Sequence, residues 1–146
     1  MLKVQLLHKD AKAPTVAHPG EDLGYDLYAL EDTNLTEEGQ HVKTGIAAEL
    51  TVAGYKYGFV IKDRSSMAAK GLVTSGGVID AGYRGEITVT MTDSAMDKRK
   101  EPYMIKKGDK IAQMIPIKVN TFGEIQVVEE LGWSKRGIKA FGSSGK

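Results

Sequence analysis

Gly76-Gly77-Val78-Ile79-Asp80-Ala81-Gly82-Tyr83-Arg84-Gly85-Glu86-Ile87-Thr88-Val89-Thr90-Met91 is the stretch that organises this chain. Two β-leaning runs, residues 78–79 and 86–91, flank a tight centre that carries two glycines and an aromatic. Such punctuation predicts a hairpin, because glycine reaches the positive φ that other residues resist. Asp80 stands where the first run gives out. An acid there is either an Asx-type turn former or a working carboxylate, and the stretch alone leaves both open.

Outward from it, short apolar runs recur at residues 3–7, 25–30, 45–52, 57–61 and 72–79, and again at 86–91, 111–119 and 125–128. Many alternate, or are rich in Val, Ile, Thr and Tyr, as half-buried strands are. Pro19-Gly20, Glu38-Gly39, Ala53-Gly54 and Lys107-Gly108-Asp109 supply turn chemistry between them. Only residues 65–70 read as a helix, with a serine placed to cap it. This spacing predicts an all-β domain: a sandwich, a jelly roll or a distorted barrel. There is no internal repeat. After Gly132 the chain turns glycine-rich and basic, which divides it into a β domain over residues 1–132 and an arm over residues 133–146. The arm reads equally as a disordered tail, a vector-derived scar or a flexible cap.

Composition removes several classes of function. With 146 residues the chain suits one domain, and its 20 Lys+Arg against 19 Asp+Glu leave a net charge of +1. That balance argues against a duplex nucleic-acid binder, whose phosphate contacts need a basic surface. The absence of cysteine excludes disulfides, thiolate metal sites and thiol nucleophiles. The first ten residues lack the apolar core of an export signal, and nothing approaches a membrane span, so a soluble cytoplasmic protein is expected. Asn34-Leu35-Thr36 matches a glycosylation acceptor only by chance on that reading. No Gly-x-x-x-x-Gly-Lys-Ser/Thr run is present, and His8, His18 and His41 lack metal-ligand spacing. No nucleophile-elbow pattern supports a serine hydrolase.

Four further stretches carry candidate chemistry. Asp63-Arg64-Ser65-Ser66 puts a guanidinium and two hydroxyls at a helix start, where anions are favoured, although a cap beside a surface arginine reads as well. Asp26, inside Gly24-Tyr25-Asp26-Leu27-Tyr28-Ala29, could hold a metal-bound water or satisfy a turn. Gln113 lies among apolar residues on a predicted strand and could donate to a ligand or face solvent. Arg136 and Phe141 with Gly142-Ser143-Ser144 bring a charge, an aromatic face and close-packing backbone donors to the arm.

Taken together, these five stretches resemble the five motifs of the trimeric deoxyuridine triphosphatases (dUTPases), in the family's order. The matches are Gly24 to Ala29, Arg64 to Ala68, Gly77 to Asp80 with Tyr83-Arg84-Gly85, Gly108 to Gln113, and Arg136-Gly137 with Phe141 to Gly145. The resemblance implies a jelly-roll-like distorted β-barrel with one short helix and a flexible C-terminal arm. It also implies a homotrimer with active sites at subunit interfaces, and Mg2+-dependent hydrolysis of dUTP to dUMP and pyrophosphate. Asp80 would be the general base. Arg64, Ser65, Ser66 and Gln113 would hold phosphate oxygens, and Tyr83 would pack under the deoxyribose and exclude a ribose. Backbone around Gly77, Ile79 and Thr88 would read uracil. Asp26 would support the metal through water. The arm would close as a lid, with Phe141 on the base, Arg136 on the terminal phosphate, and Gly142, Ser143 and Ser144 around the nucleotide.

Departures from the pattern are Ile138-Lys139-Ala140 in place of a glycine-rich run, Ser66 where glycine is common, Asp63 where proline is common, and Ser144 for threonine. The nearest rival is the related dCTP deaminase, whose glutamate would fall where Thr90 stands, leaving deamination without its acid/base group. A non-enzymatic, partner-binding role is a different class, and no insertion in this compact chain suggests an added module for it.

Overall fold

Short, partly buried strands build this protein, whose computed structural model describes residues 1–142. Its strands are β1 (Leu2–Leu6), β2 (Tyr25–Tyr28), β3 (Thr33–Leu35), β4 (Gln40–Lys43), β5 (Ile46–Val52), β6 (Tyr55–Asp63), β7 (Leu72–Ser75), β8 (Val78–Ile79), β9 (Thr88–Asp93), β10 (Tyr103–Ile105) and β11 (Lys110–Lys118). Two one-turn helices interrupt them, α1 (Ser65–Ala68) and α2 (Met96–Arg99). The large sheet runs β1-β5-β6-β11-β2, with β8 added to β6; β4-β9-β7 form a second sheet and β10-β3 a pair. Every pairing is antiparallel.

One apolar core lies between these sheets. Leu27, Leu35, Ile46, Leu72, Ile87, Met91, Ile105, Ile111 and Met114 are its fully buried members. Each such side chain contributes about 1.5–3 kcal/mol on leaving water. In β9, Val89, Met91 and Asp93 face inward while Thr88, Thr90 and Thr92 alternate outward. Among the described residues Asp93 is the one charge carried fully inside, and three donors satisfy it: the Arg99 guanidinium, the Ala95 amide at 3.1 Å and the Tyr103 amide at 3.2 Å. That cluster holds the loop around α2 against the end of β9.

The all-β expectation holds, with corrections in detail. Residues 78–79 and 86–91 do not pair as a hairpin. Instead β8 pairs with β6, and β9 pairs with β7 and β4. The chain changes sheets at Gly76-Gly77, where Gly76 takes φ +63° and a Cβ on Gly77 would lie 2.6 Å from the Ile61 carbonyl oxygen. Residues 125–128 form no strand; Ile125 and Val127 are almost fully exposed, and β-rich composition without a partner strand makes no ladder. α1 opens on Arg64 rather than on a serine, and no side chain caps it. The second helix, α2, ends on Lys100 in the left-handed region at φ +69°. Among the described residues no helix is long and apolar enough to cross a membrane.

Candidate active site

The sheet change at Gly76-Gly77 opens a polar cavity of about 290 Å³ lined by Gly76, Ile79, Asp80, Tyr83, Thr88 and Thr90, with Val78, Glu86 and His41 completing its wall. Gly77 is fixed by its backbone: its carbonyl accepts the Ile61 N–H at 2.6 Å. Ile79 pairs with Phe59 on β6. Asp80 follows directly, and the Tyr83 N–H donates to its carbonyl at 3.0 Å, closing a turn. The turn former and the cavity-lining carboxylate are therefore the same residue. The Tyr83 hydroxyl donates to the Glu86 carbonyl at 2.9 Å, and its ring lies over Gly85, where a Cβ would come within 2.6 Å of Cζ. Glu86 itself accepts the Gly45 N–H at 2.8 Å, and Thr90 meets His41 Nδ1 at 3.1 Å. Glu86 and His41 escaped the sequence reading. Glu86 sat inside the quoted stretch, but nothing local marks its partner, 41 residues away.

A second cluster gathers Asp26, Arg64, Ser66, Lys110 and Gln113. Arg64 Nε lies 3.4 Å from Asp26 Oδ1, and Lys110 Nζ lies 3.3 Å from Asp26 Oδ2. Arg64 Nη1 makes two long bonds of 3.4 Å, to Ser66 Oγ and to the Lys110 carbonyl. Gln113 stands opposite Asp26 in the β11–β2 ladder and donates through Nε2 to the Asp63 carbonyl at 3.0 Å. Gly24 makes room for it, since a Cβ there would meet Gln113 Oε1 at 2.9 Å. Asp63 accepts the Thr74 N–H at 2.7 Å and so ties β6 to β7 beneath the helix. Two cations face one carboxylate here, with exposed Ser65 beside them, so the cluster offers net positive charge and hydroxyls to an anion.

The two clusters lie along β6, with Asp80 beside Gly58, Gly77 beside Ile61 and Arg64 just past the strand's end. Gly58 abuts the Ile79–Ala81 backbone, whereas Arg64 follows the far end of the strand. Six residues of extended chain separate them by about 20 Å. Within one chain, then, Asp80 and Arg64 do not face a common point.

Arm residues 133–142 are exposed. Arg136 Nε donates to the Lys139 carbonyl at 2.9 Å, while Phe141 and Gly142 adopt φ of +51° and +85°. Phe141 touches nothing that would shield its ring from solvent. Ser143 and Ser144 lie outside the described residues. Upstream of the arm, Phe122, Ile125, Val127 and Leu131 are also exposed, giving the whole segment after β11 an unpartnered apolar character.

For a metal, no group of three or more His, Cys, Asp or Glu side chains converges among the described residues. Among the described residues Asp26 is the one carboxylate in ion-pair reach of Arg64 and Lys110, and both cations already engage it. This donor set fits Mg2+ that arrives on phosphate oxygens and keeps its waters, and it does not fit a cage of protein ligands.

Comparison with known proteins places the chain in a family. A family model described as dUTPase matches residues 9–145. The deoxyuridine 5'-triphosphate nucleotidohydrolase of Kluyveromyces lactis is 40% identical over 147 residues, covering 99% of this chain and 94% of its own length. That of Clostridium tetani is 41% identical over 153 residues, covering 99% and 97%. Among solved structures, a mutant Staphylococcus bacteriophage 80alpha dUTPase with dUpNHpp superposes with a TM-score of 0.83 at 31% identity, covering 100% of this chain and 99% of that one. A mutant dUTPase from phage phi11 of S. aureus, described as revealing the coordination of a structural Mg(II) ion, gives 0.75 at 28% identity, covering 89% and 97%. The jelly-roll-like β fold, the ordered motifs and near-complete coverage by these relatives agree: the chain belongs to the dUTPase family.

Proposed function

We propose that this protein hydrolyses dUTP to dUMP and pyrophosphate in the cytoplasm, keeping uracil out of DNA and supplying dUMP for thymidylate synthesis. One observation supports the reading most: a nucleoside-sized polar cavity with Asp80 in its wall, and a separate cationic cluster able to grip phosphates. Asp80 takes a proton from a water aimed at the α-phosphorus. The water oxygen bonds to that phosphorus, the bridge to the β-phosphate breaks, and pyrophosphate leaves with the bridging oxygen. Gly77 and Thr88 read the base through the backbone beside Ile79. A cytosine would leave buried groups unpaired, which is the costly kind of mismatch. Tyr83, pinned over Gly85, floors the sugar site and leaves no room for a 2′-hydroxyl.

Arg64, Ser65, Ser66 and Gln113 hold the phosphates. The Gln113 amide has a second hydrogen beyond the one given to Asp63. Asp26 would help to hold Mg2+ through its water shell, and the ion would supply charge neutralisation for the phosphates. Arg136 and Phe141, with Gly142, Ser143 and Ser144, close over the nucleotide from the arm and exclude bulk water.

The working unit is a homotrimer. A separation of about 20 Å is too great for a base and a phosphate grip to share one substrate, so Asp80 of one copy serves with Arg64 of another. The exposed apolar residues after β11 gain their cover from a neighbouring copy.

The test is direct: supply Mg2+ with dUTP, UTP, dCTP or dTTP separately, then measure pyrophosphate and identify the base. Pyrophosphate is expected from dUTP alone. Ammonia released from dCTP would transfer the protein to the deaminases.

A further inference from the structure

We infer that His41 is a positioning residue for base recognition: through Thr90 it sets whether the end of the cavity beyond Thr88 offers a hydrogen-bond donor or an acceptor. This rests on the nucleotide reading of that cavity. Burial alternates from Glu86 to Met91, so Glu86, Thr88 and Thr90 share one face, and all three line the wall. The sugar seat lies at the Glu86 end, where the Tyr83 hydroxyl meets the Glu86 carbonyl. Thr88 is placed at the base, and Thr90 stands about 7 Å further from the sugar. Its hydroxyl therefore faces the edge of the base remote from the sugar, where uracil carries a carbonyl oxygen and cytosine an amino group. His41 stands directly opposite Thr90 in the β4–β9 ladder, and its Nδ1 lies 3.1 Å from the Thr90 oxygen.

A threonine hydroxyl has one proton, and this contact decides where it points. Neutral His41 with its hydrogen on Nε2 accepts that proton at Nδ1, and Thr90 then shows the cavity only lone pairs. Charged His41 donates from both nitrogens. Its Nδ1–H then holds the Thr90 oxygen, and the hydroxyl proton turns to the ligand. The first state suits an amino group and the second a carbonyl oxygen. His41 is exposed and trades its proton freely with water. Around it, β9 presents Thr88 and Thr92, and β3 has no titratable side chain. On β4, Lys43 shares its face and pairs with Glu31 at 4.0 Å. Asp80, Tyr83 and Glu86 are the titratable groups that line the cavity with it. Recognition of uracil thus strengthens as pH falls and His41 takes up its proton.

The experiment uses the full chain in its native assembly and follows dUMP and dCMP binding by calorimetry from about pH 5.5 to 8.5, a range that spans histidine titration. Thr90→Val serves as the reference, because Asp80, Glu86 and the nucleotide phosphate ionise in both proteins. Wild type should bind dUMP about tenfold more tightly than Thr90→Val at the acid end, the gain expected for one hydrogen bond, and no more tightly at the alkaline end. Over the same reference dCMP should gain nothing on acidification. Thr90→Ser, which keeps the hydroxyl, should keep the pH response, and His41→Gln should abolish it. A dUMP advantage that does not vary with pH would overturn the inference. So would a response that survives His41→Gln, or one shared equally by dCMP, because a bare cation beside the cavity favours both nucleotides. If Thr90→Val does not fold, His41→Gln, whose side chain does not titrate, takes its place as the reference. Failure of the wild-type protein to bind dUMP at any pH would overturn the proposed function and take this inference with it.

Discussion

Two inactive variants of this protein should rescue one another, by an amount that geometry sets in advance. Asp80→Asn removes the proposed base and Arg64→Ala the proposed phosphate grip, and each alone should be nearly inert. Asp80 lies beside Gly58 and Arg64 just beyond the end of β6, about 20 Å away along the strand. If every site joins Asp80 of one copy to Arg64 of the next around a closed ring, a site is intact only when both donors carry the right residue. In an equal, randomly assembled mixture that happens at about one site in four. Mixed trimers isolated through two different tags each hold one intact site among three, so their activity should rise to about a third of wild type. The assay is pyrophosphate release after the two variants are refolded together. Were both residues to serve the same site from one chain, no mixture could reunite them, and activity would stay at the level of the single variants. That result would refute the assembly across copies.

Other perturbations read single contacts. Asp80→Asn should bind dUTP normally in equilibrium dialysis yet turn over about 10²–10⁴ times more slowly; a smaller loss would take the proton transfer away from Asp80. Gly85→Ala forces the Tyr83 ring off its seat, so dUTP-over-UTP selectivity in kcat/KM should fall by about tenfold, at a stability cost near 1 kcal/mol for the lost hydroxyl bond. Arg99→Ala leaves buried Asp93 with backbone donors alone and should lower stability by about 3–5 kcal/mol, read as an earlier urea midpoint. At the surface, the His18 N–H bond holds the Asp22 carboxyl below its usual 3.8. This turn is therefore stabilised above that pH and loosens as pH falls through the lowered value, which amide exchange at His18 should show in the native chain and lack in Asp22→Asn.

Strands with long apolar runs, such as β5 and β11, were legible in the sequence because the residues that enter the core must be apolar. β3, β4 and β10 were not, since Thr33–Leu35 lies among turn-forming residues and Gln40–Lys43 carries His41 and two further polar side chains. Their order comes from partners: Leu35 and Ile105 are fully buried across one pair, and Val42 pairs with Val89 in another. Local propensity does not encode a partner that lies far away along the chain. The same limit misread residues 125–128, which have strand composition and no ladder. At the site, residue types and order were legible through the motifs. Their separation along β6 was not, because distance along the chain says nothing about which part of a strand faces which neighbour. His41 was hidden for a subtler reason. It stands outside every motif, and only its place opposite Thr90 brings it to the cavity wall.

The glycines beside β8 have a consequence for how selectivity can change over generations. A Cβ on Gly77 would lie 2.6 Å from the Ile61 carbonyl, and one on Gly58 would lie 2.6 Å from the Ile79 carbonyl. Neither codon can drift to another amino acid without displacing main chain, so the wall beside Asp80 is written in peptide groups that point mutation cannot edit. A lineage under pressure to accept another base must alter Thr88, Thr90, Glu86 or His41 instead. Gly58, outside every motif, is thereby as constrained as the Ile79–Ala81 backbone it abuts.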